Sequence, residues 1–320
     1  MESTPEKKLL RTTLRRYGVL IATIVTYIVF AMLEPEFNTA QNFFNIVRMA
    51  SIIGILSLGL TLVVCVGEFD MSFASAATIC GVLSIYLLIQ QTNLYLTWMA
   101  CIGLGIGISA VNAFNVIKVG VPSFIATLGM MGICTGTSRY ITGGSVLYAA
   151  SYPPGFNAIG REFVLQIIPT PVISFAIFSI IMVIFLEFAR QGRYTYAVGG
   201  NPEAATHVGI NINKIKRNAF LIIGVCTGVS GIVMASMFGA GNPTMGEGFL
   251  MPAIIACFLG AVFLKDGLPN TRGTLVSCFL LAILENGFVM TNVPLFLKEV
   301  TQGAVLIVAL LGIGLLRAKK

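Results

Sequence analysis

Six polar side chains stand in or beside segments of the chain that are otherwise almost wholly apolar. They are Asp70, Ser72, Asn112, Asn115, Glu285 and Asn286. Asn112 and Asn115 are three residues apart, so they would share one face of a helix. Amide, hydroxyl and carboxylate groups inside an apolar cavity can orient a polar solute by hydrogen bonds. The same groups can instead join neighbouring helices or cap a helix end, so a structural role stays open for each of them.

The common motifs of catalysis and nucleotide binding are missing. The chain has no Gly-Lys dipeptide, hence no Walker A loop, and neither G-x-S-x-G nor H-E-x-x-H occurs. A single histidine, His207, excludes a histidine-rich metal site. All seven cysteines lie in apolar runs without a C-x-x-C pair, which is typical of small buried side chains. We therefore expect no catalytic residue, no metal and no cofactor bound by this chain.

The composition favours a lipid environment. Apolar residues make up 56% of the 320 residues and charged residues only 10%, whereas an ordinary globular domain has about 25% charged residues. A soluble enzyme, a disordered chain and a secreted disulfide scaffold are therefore disfavoured. We predict an all-α integral membrane fold. Three glycine pairs fit the helix-packing pattern G-x-x-x-G: Gly103/Gly107, Gly132/Gly136 and Gly224/Gly228.

Ten apolar runs could cross a bilayer, which takes about 20 residues each. They are 17–33, 46–66, 72–89, 94–116, 122–140, 167–188, 217–238, 249–264, 273–291 and 298–316. We predict one transmembrane domain over 17–316, a basic segment before it (1–16), a tail after it (317–320) and a polar loop at 189–216. Eight crossings with re-entrant segments remain the alternative, because the third, fifth and eighth runs are short or polar.

The basic residues predict the orientation of these spans. With the N-terminus in the cytoplasm, all but four of the 20 Lys and Arg residues fall on the cytoplasmic side. The four exceptions are Arg48, Arg139, Arg161 and Lys298. Because cytoplasmic loops carry an excess of Lys and Arg, both termini and the loop at 189–216 are predicted to be cytoplasmic. The net charge of +7 then needs no nucleic-acid partner to explain it.

A weak internal repeat suggests that the domain has two halves. Gly67-Glu68-Phe69 precedes the third span, with Gly81 farther along, and Gly246-Glu247-Gly248-Phe249 precedes the eighth, with Gly260 at the same spacing. With an odd number of spans in each half, the halves would have opposite topology. Inverted repeats of this kind are common in transporters.

The loop at 189–216 contains the signals of a short helix. Asn201 can cap it, Pro202 suits its first position, Glu203 complements its dipole, and Gly209 can end it in a left-handed turn. The small residues Ala204 and Ala205 would let a partner protein approach closely. An ordinary amphipathic loop helix is the alternative.

The run Gly-Arg-Tyr-x-Tyr-Ala-x-Gly-Gly-Asn at 192–201 continues into Glu-Ala-Ala and Gly-Ile-Asn-x-Asn-Lys. It resembles the coupling loop of bacterial ABC importer permeases for simple sugars, of the ribose, xylose, arabinose and autoinducer-2 type. Stretches 67–72, 122–130 and 242–246 are also similar to motifs of that family. The resemblance assigns these coupling residues: Gly192, Arg193, Tyr194, Gly199, Gly200, Asn201, Pro202, Glu203, Ala204, Ala205, Gly209 and Ile210.

Two stretches depart from the family pattern. Glu68 stands where the family usually has Gly, and the Gly-rich turn after the eighth span survives only in part at 259–269. Such differences could change the choice of substrate or of partner. They leave the sugar unidentified and the class intact.

The resemblance implies a multi-pass subunit of the bacterial plasma (inner) membrane that does no chemistry itself. It implies three protein partners: an ABC ATPase subunit that uses ATP and Mg²⁺, a solute-binding protein, and a second permease copy or paralogue. The six polar residues named first would then line the substrate path. An ion-coupled secondary carrier is the alternative function. An intramembrane enzyme is disfavoured because the spans offer no nucleophile–base pair.

Overall fold

The computed structural model describes residues 5–153, 155–165, 167–262 and 267–317. Its helices are α1 (Pro5–Leu33), α2 (Ala40–Cys65), α3 (Phe73–Ile89), α4 (Leu94–Phe114), α5 (Ser123–Thr142), α6 (Phe156–Gly160), α7 (Thr170–Val183), α8 (Arg190–Gly200), α9 (Pro202–His207), α10 (Ile212–Phe238), α11 (Glu247–Val262), α12 (Thr271–Met290) and α13 (Leu295–Arg317). A 3₁₀ helix spans Pro35–Asn38, and π-helical turns extend α4 (Asn115–Val119) and α7 (Ile184–Phe188). The end of the predicted span 249–264, Lys265 and most of the basic tail lie outside the described residues.

Each of the ten predicted spans overlaps one of the longer helices. Among the described residues, six helical stretches are long and apolar enough to cross a membrane, and three shorter apolar helices accompany them. The six are Ala40–Cys65, Leu94–Val119, Thr170–Phe188, Ile212–Phe238, Thr271–Met290 and Leu295–Gly314, and the three are Tyr17–Leu33, Phe73–Ile89 and Glu247–Val262. The all-α membrane fold is therefore confirmed. The number of crossings and the sides of the termini stay predictions.

Two predicted boundaries differ from the structure. The sixth span does not begin as a helix at 167, because Ile168–Pro169 forms strand β2, paired antiparallel with β1 (Phe163–Val164). The loop at 189–216 is shorter than predicted, because α10 already begins at Ile212. Its start is fixed by Asn211, whose side chain accepts a hydrogen bond from the backbone N–H of Lys214 at 3.0 Å.

The core of the bundle is formed by α2, α10 and α12. In the most apolar part of each helix, 83% of the residues are buried in α2, 72% in α10 and 61% in α12. The corresponding values are 28% for α4 with its π-helical turn and 11% for α13. At the crossing of α10 with α4, a Cβ on Gly224 would lie 2.7 Å from the carbonyl oxygen of Gly105, so only glycine permits this approach. The packing role predicted for Gly224/Gly228 is confirmed.

The other two glycine pairs do not pack within the described part of the chain. A Cβ placed on Gly103, Gly107, Gly132 or Gly136 would meet nothing within 4 Å. The helix-packing role predicted for these two pairs therefore has no counterpart among the described helices of this chain, and it stays a prediction for contacts with another chain. G-x-x-x-G marks a smooth helix face, and the tertiary arrangement decides whether a neighbour covers it.

The two halves of the domain exchange packing partners. Helix α2 packs against α11 and α12 of the second half, and α10 packs against α3 and α4 of the first half. The pairs α3–α5 and α11–α13 also correspond. The series α2–α5 and α10–α13 therefore match one another in their contacts, which agrees with the repeat seen in the sequence. Opposite membrane topology of the halves stays a prediction.

Helix α10 runs from one end of the bundle to the other. It has 27 residues and is therefore about 40 Å long. Near its start Lys216 pairs with Glu68, and α9 packs beside it. Near its end it contacts α6. Ala158 in α6 and Asn213 in the first turn of α10 consequently lie at opposite ends, as the ten-span prediction requires.

Candidate functional site

The segment that follows α7 folds back tightly on the helix end before it. The turn depends on Gly192, because a Cβ at this position would collide with the backbone of Phe185 and Leu186. Arg193 donates a hydrogen bond from Nη1 to the carbonyl oxygen of Phe188 at 3.3 Å. The first predicted coupling residues thus set the direction in which α8 leaves the bundle.

Helix α8 lies against the ends of two core helices. Val198 is fully buried, and a Cβ on Gly199 would collide with the carbonyl group of Cys65, where α2 ends. The hydroxyl of Tyr196 donates to the carbonyl oxygen of Pro269, just before α12, at 2.9 Å. Burial raises the pKa of this phenol, which keeps it protonated as a donor. Helix α8 therefore connects the end of α2 to the segment just before α12.

Helix α9 has the caps that the sequence predicts. The side-chain oxygen of Asn201 accepts from the backbone N–H of Ala204 at 3.0 Å. Gly209 has a φ of +78°, and the N–H of Ile210 bonds back to the carbonyl oxygen of Ala205 at 3.0 Å. Both ends of this short helix are therefore fixed by local hydrogen bonds.

The two alanines of α9 have different environments. Ala204 is exposed, whereas Ala205 is only 3% exposed and belongs to the main hydrophobic core. The expectation that both alanines pack into a partner is therefore wrong for Ala205, because α9 rests on its own chain through that side. The surface left for a partner consists of Glu203, Ala204, Thr206, His207 and Val208. We name it the α9 face.

Val208 is a member of the α9 face that the sequence reasoning missed. Its side chain is 75% exposed although it is apolar. A single exposed apolar side chain does not by itself mark an interaction site, but it gives the α9 face one apolar contact point. The available signal was its place just before Gly209, at the end of a helix whose other exposed residues are polar or small.

Three of the predicted path residues form one buried network. The carboxylate of Asp70 accepts from the N–H and the hydroxyl of Ser72 at 2.7 and 2.6 Å, and the amide of Asn112 donates to the same hydroxyl at 2.9 Å. All three side chains are buried. The backbone N–H of Met71 also donates to Thr127 of α5 at 2.9 Å. This arrangement joins the loop before α3 to α4 and α5.

The other predicted path residues lie elsewhere. Asn115 is half-buried in the π-helical turn and does not join the network. Glu285 is 4% exposed near the other end of the bundle, where its carboxylate pairs with Lys298 and accepts from Gln302. Asn286 is buried beside it, and its side-chain oxygen has no partner in the described residues. The structure thus separates the six residues instead of placing them along one path.

Two mainly apolar cavities that contain several polar side chains meet at Glu247, at the start of α11. The larger, of about 660 Å³, lies between α11 and α13, and the smaller, of about 270 Å³, lies between α3, α5 and α11. Their polar lining residues are Thr244, Glu247, Lys298, Glu299 and Gln302 in the first, and Ser75, Thr78, Thr135 and Glu247 in the second. We name them the Glu247 cavities.

None of the residues that line the Glu247 cavities was predicted as a site residue. Hydroxyls such as Ser75, Thr78 and Thr135 are common in membrane helices, so their type alone carries little signal. The only sequence signal at Glu247 was its place in the internal repeat, within Gly246-Glu247-Gly248-Phe249. Its carboxylate lies 3.7 Å from the guanidinium of Arg139, and both side chains are 59% exposed.

The chain forms a bundle of apolar helices, with mainly apolar cavities that carry a few polar side chains near one end and a short capped helix on the surface of the other. This is the form of a membrane transport component. In the described residues no group of three or more His, Cys, Asp or Glu side chains could hold a metal ion.

Comparison with known proteins identifies the family. The family model described as "Branched-chain amino acid transport system / permease component" matches residues 42–310. The chain therefore belongs to this family of ABC importer permeases, as the resemblance in its sequence indicated, and it is a multi-pass protein of the bacterial inner membrane. No solved structure matches it.

Its curated relatives match over nearly their whole length. It is 32% identical over 296 residues to the ribose import permease protein RbsC of Escherichia coli (strain K12), which covers 91% of each chain. It is 27% identical over 298 residues to RbsC of Bacillus subtilis (strain 168), covering 93% of this chain and 92% of that one. It is 28% identical over 352 residues to the xylose transport system permease protein XylH of E. coli (strain K12), covering 91% and 90%.

Proposed function

We propose that this chain translocates a simple sugar or sugar-like solute, delivered by a solute-binding protein, as the membrane subunit of an ABC importer. The observation that carries the proposal is the full-length similarity to permeases named for ribose, xylose and arabinose. The polar side chains in the Glu247 cavities support it, because hydroxyl, amide and carboxylate groups within a mainly apolar cavity can hydrogen-bond a solute rich in hydroxyls.

In this proposal the solute passes along the Glu247 cavities between α5 and α13. Lys298 and Gln302 line the larger cavity, and both are held by the buried carboxylate of Glu285. Glu285 is then a positioning residue. Asp70, Ser72 and Asn112 act at a distance by fixing the loop before α3.

The α9 face is the proposed contact with the ATPase subunit, which binds ATP and Mg²⁺. Helix α8 connects this face to the ends of α2 and α12, which belong to different halves. A displacement of α9 is therefore transmitted to both halves as a rigid-body motion. A second permease copy or a paralogue completes the membrane part, and the uncovered glycine faces of α4 and α5 are candidates for that contact.

Reconstitution tests the proposal against the ion-coupled alternative. The tagged chain is purified from its native membrane together with its bound subunits and placed in proteoliposomes. We expect uptake of one of ribose, xylose or arabinose that requires Mg²⁺-ATP and the binding protein. Uptake driven by an ion gradient without ATP would support the secondary carrier and contradict the proposal.

A further inference from the structure

A cavity of about 700 Å³ lies between the end of α4 and the start of α10, apart from the Glu247 cavities. Its lining changes character along both helices. Phe114 and Leu221, toward the middle of the bundle, are apolar, whereas Lys118, Lys214 and Arg217 lie nearer the helix ends and are cationic. The cavity therefore matches the two parts of a lipid at a membrane surface. Its cationic side chains lie where the headgroup would be, and its apolar side chains lie where an acyl chain would be.

The three cations lack an acidic partner. No Asp or Glu lines the cavity, and in the described part of the chain none of the three forms an ion pair. Lys216 is a useful contrast, because it stands between Lys214 and Arg217 in the sequence and pairs with Glu68. The charges at this cavity are therefore left for an anion from outside the chain.

The backbone adds to the positive potential. Lys214 and Arg217 lie in the first two turns of α10, where the helix dipole is already positive and cations are disfavoured. Lys118 belongs to the π-helical turn Asn115–Val119, which ends at Gly120 with a φ of +82°. A π-helical turn is rare and occurs often at functional sites. This turn brings Lys118 to the same cavity as Lys214 and Arg217, which favours a role in ligand binding over a role in stabilising the helix.

We propose that this cavity binds the phosphate headgroup of an anionic phospholipid, with an acyl chain along Phe114 and Leu221. A lipid fits better than a soluble anion because Phe114 is 59% exposed and continues the membrane-facing side of α4. The cavity also lies at the end of the bundle that the Lys and Arg bias assigns to the cytoplasm, where anionic lipids attract basic side chains. The bound lipid would join α4 to α10 close to α9.

The test measures lipid retained by the full-length protein. The chain is exchanged into micelles containing equal amounts of phosphatidylglycerol and phosphatidylcholine, and bound lipid is counted by native mass spectrometry. We expect preferential retention of phosphatidylglycerol. The double variant Lys214→Gln, Arg217→Gln should retain about 30-fold less, the size expected for two cations that face an anionic lipid.

The matched control is Arg190→Gln, which removes one exposed cation from α8 at the same end of the bundle and is compared with the single variant at Lys118. It should retain phosphatidylglycerol like the parent. Lys118→Gln is a second variant that leaves α10 untouched, and it should reduce retention about 5-fold. All of these side chains are exposed, so elution and melting of the variants should match the parent.

Three outcomes would overturn the proposal. One is equal loss of lipid in Lys118→Gln and in the α8 control, which would indicate a general charge effect. Another is binding of soluble glycerol phosphate by the lipid-free protein with no preference among lipids, which would indicate a soluble anion. The third is unchanged lipid with loss of the co-purifying ATPase subunit, which would assign the cations to that protein.

Discussion

Ala204 and Ala205 are neighbours of the same type with opposite environments. Helix α9 is fixed at one end by Asn201 and at the other by Gly209, so its rotation about its own axis is set by local hydrogen bonds. That rotation buries Ala205 and exposes Ala204. The sequence predicts where the helix begins and ends, but not which side rests on the chain.

We expect Ala205→Glu to damage the fold and Ala204→Glu to damage only the contact with the ATPase. A charge at 205 would be buried without a partner, at a cost of about 3–5 kcal/mol. The variant should melt earlier and aggregate during purification. The variant at 204 should keep the parental melting temperature and lose the co-purifying ATPase subunit. Equal melting of the two variants would contradict the burial of Ala205.

Glu285 is the buried carboxylate whose partners line the larger Glu247 cavity. We expect Glu285→Gln to lower stability by about 3 kcal/mol, because Lys298 would be left partly buried without its counter-charge. The double variant Glu285→Gln, Lys298→Met should recover part of this loss. Denaturation of both singles and the double gives the coupling energy. Additive effects would show that the ion pair contributes nothing to the fold.

Helices are the scale at which the sequence is most informative, and their mutual packing is where it is least so. Caps at Asn201 and Gly209 were predictable because they depend on residues a few positions apart. The uncovered faces at Gly103/Gly107 and Gly132/Gly136 were not, because a helix that is apolar all round does not show which side a neighbour covers. In the Asp70–Ser72–Asn112 network, the bond from Asn112 likewise depends on tertiary packing, because Asn112 is 40 residues from Ser72 in the sequence.

The glycine pairs provide a matched test of helix packing. We expect Gly224→Ala to destabilise the protein by about 1–3 kcal/mol, since its Cβ would lie 2.7 Å from the backbone oxygen of Gly105. Gly132→Ala adds the same methyl group where nothing within the chain lies within 4 Å, so in the dissociated subunit it should be neutral or slightly stabilising. The measurement is the melting temperature of each variant compared with that of the parent. A larger loss at 132 would mean that another copy covers α5.

The exchange of packing partners between the two halves connects the coupling segment to the whole molecule. The buried helices α2 and α10 each pack on the other half, so neither half has a complete core of its own. Helix α8 contacts the ends of α2 and α12 and therefore touches both halves at once. A movement imposed by a partner at the α9 face can therefore be passed through α8 to both halves, although the partner contacts only the surface of the bundle.

Cysteine labelling tests how this bundle lies in the membrane. The seven native cysteines are all buried, so the parent should label slowly and need no cysteine removal. We expect Ala158→Cys to react with a membrane-impermeant maleimide from outside the cell, and Asn213→Cys to react only after the membrane is opened. Ser151→Cys introduces a second, exposed cysteine near Ala158, and it should also react from outside the cell. Because α10 holds the two sites about 40 Å apart, labelling of both from one face would require α10 not to cross the membrane, and the ten-span topology would be wrong.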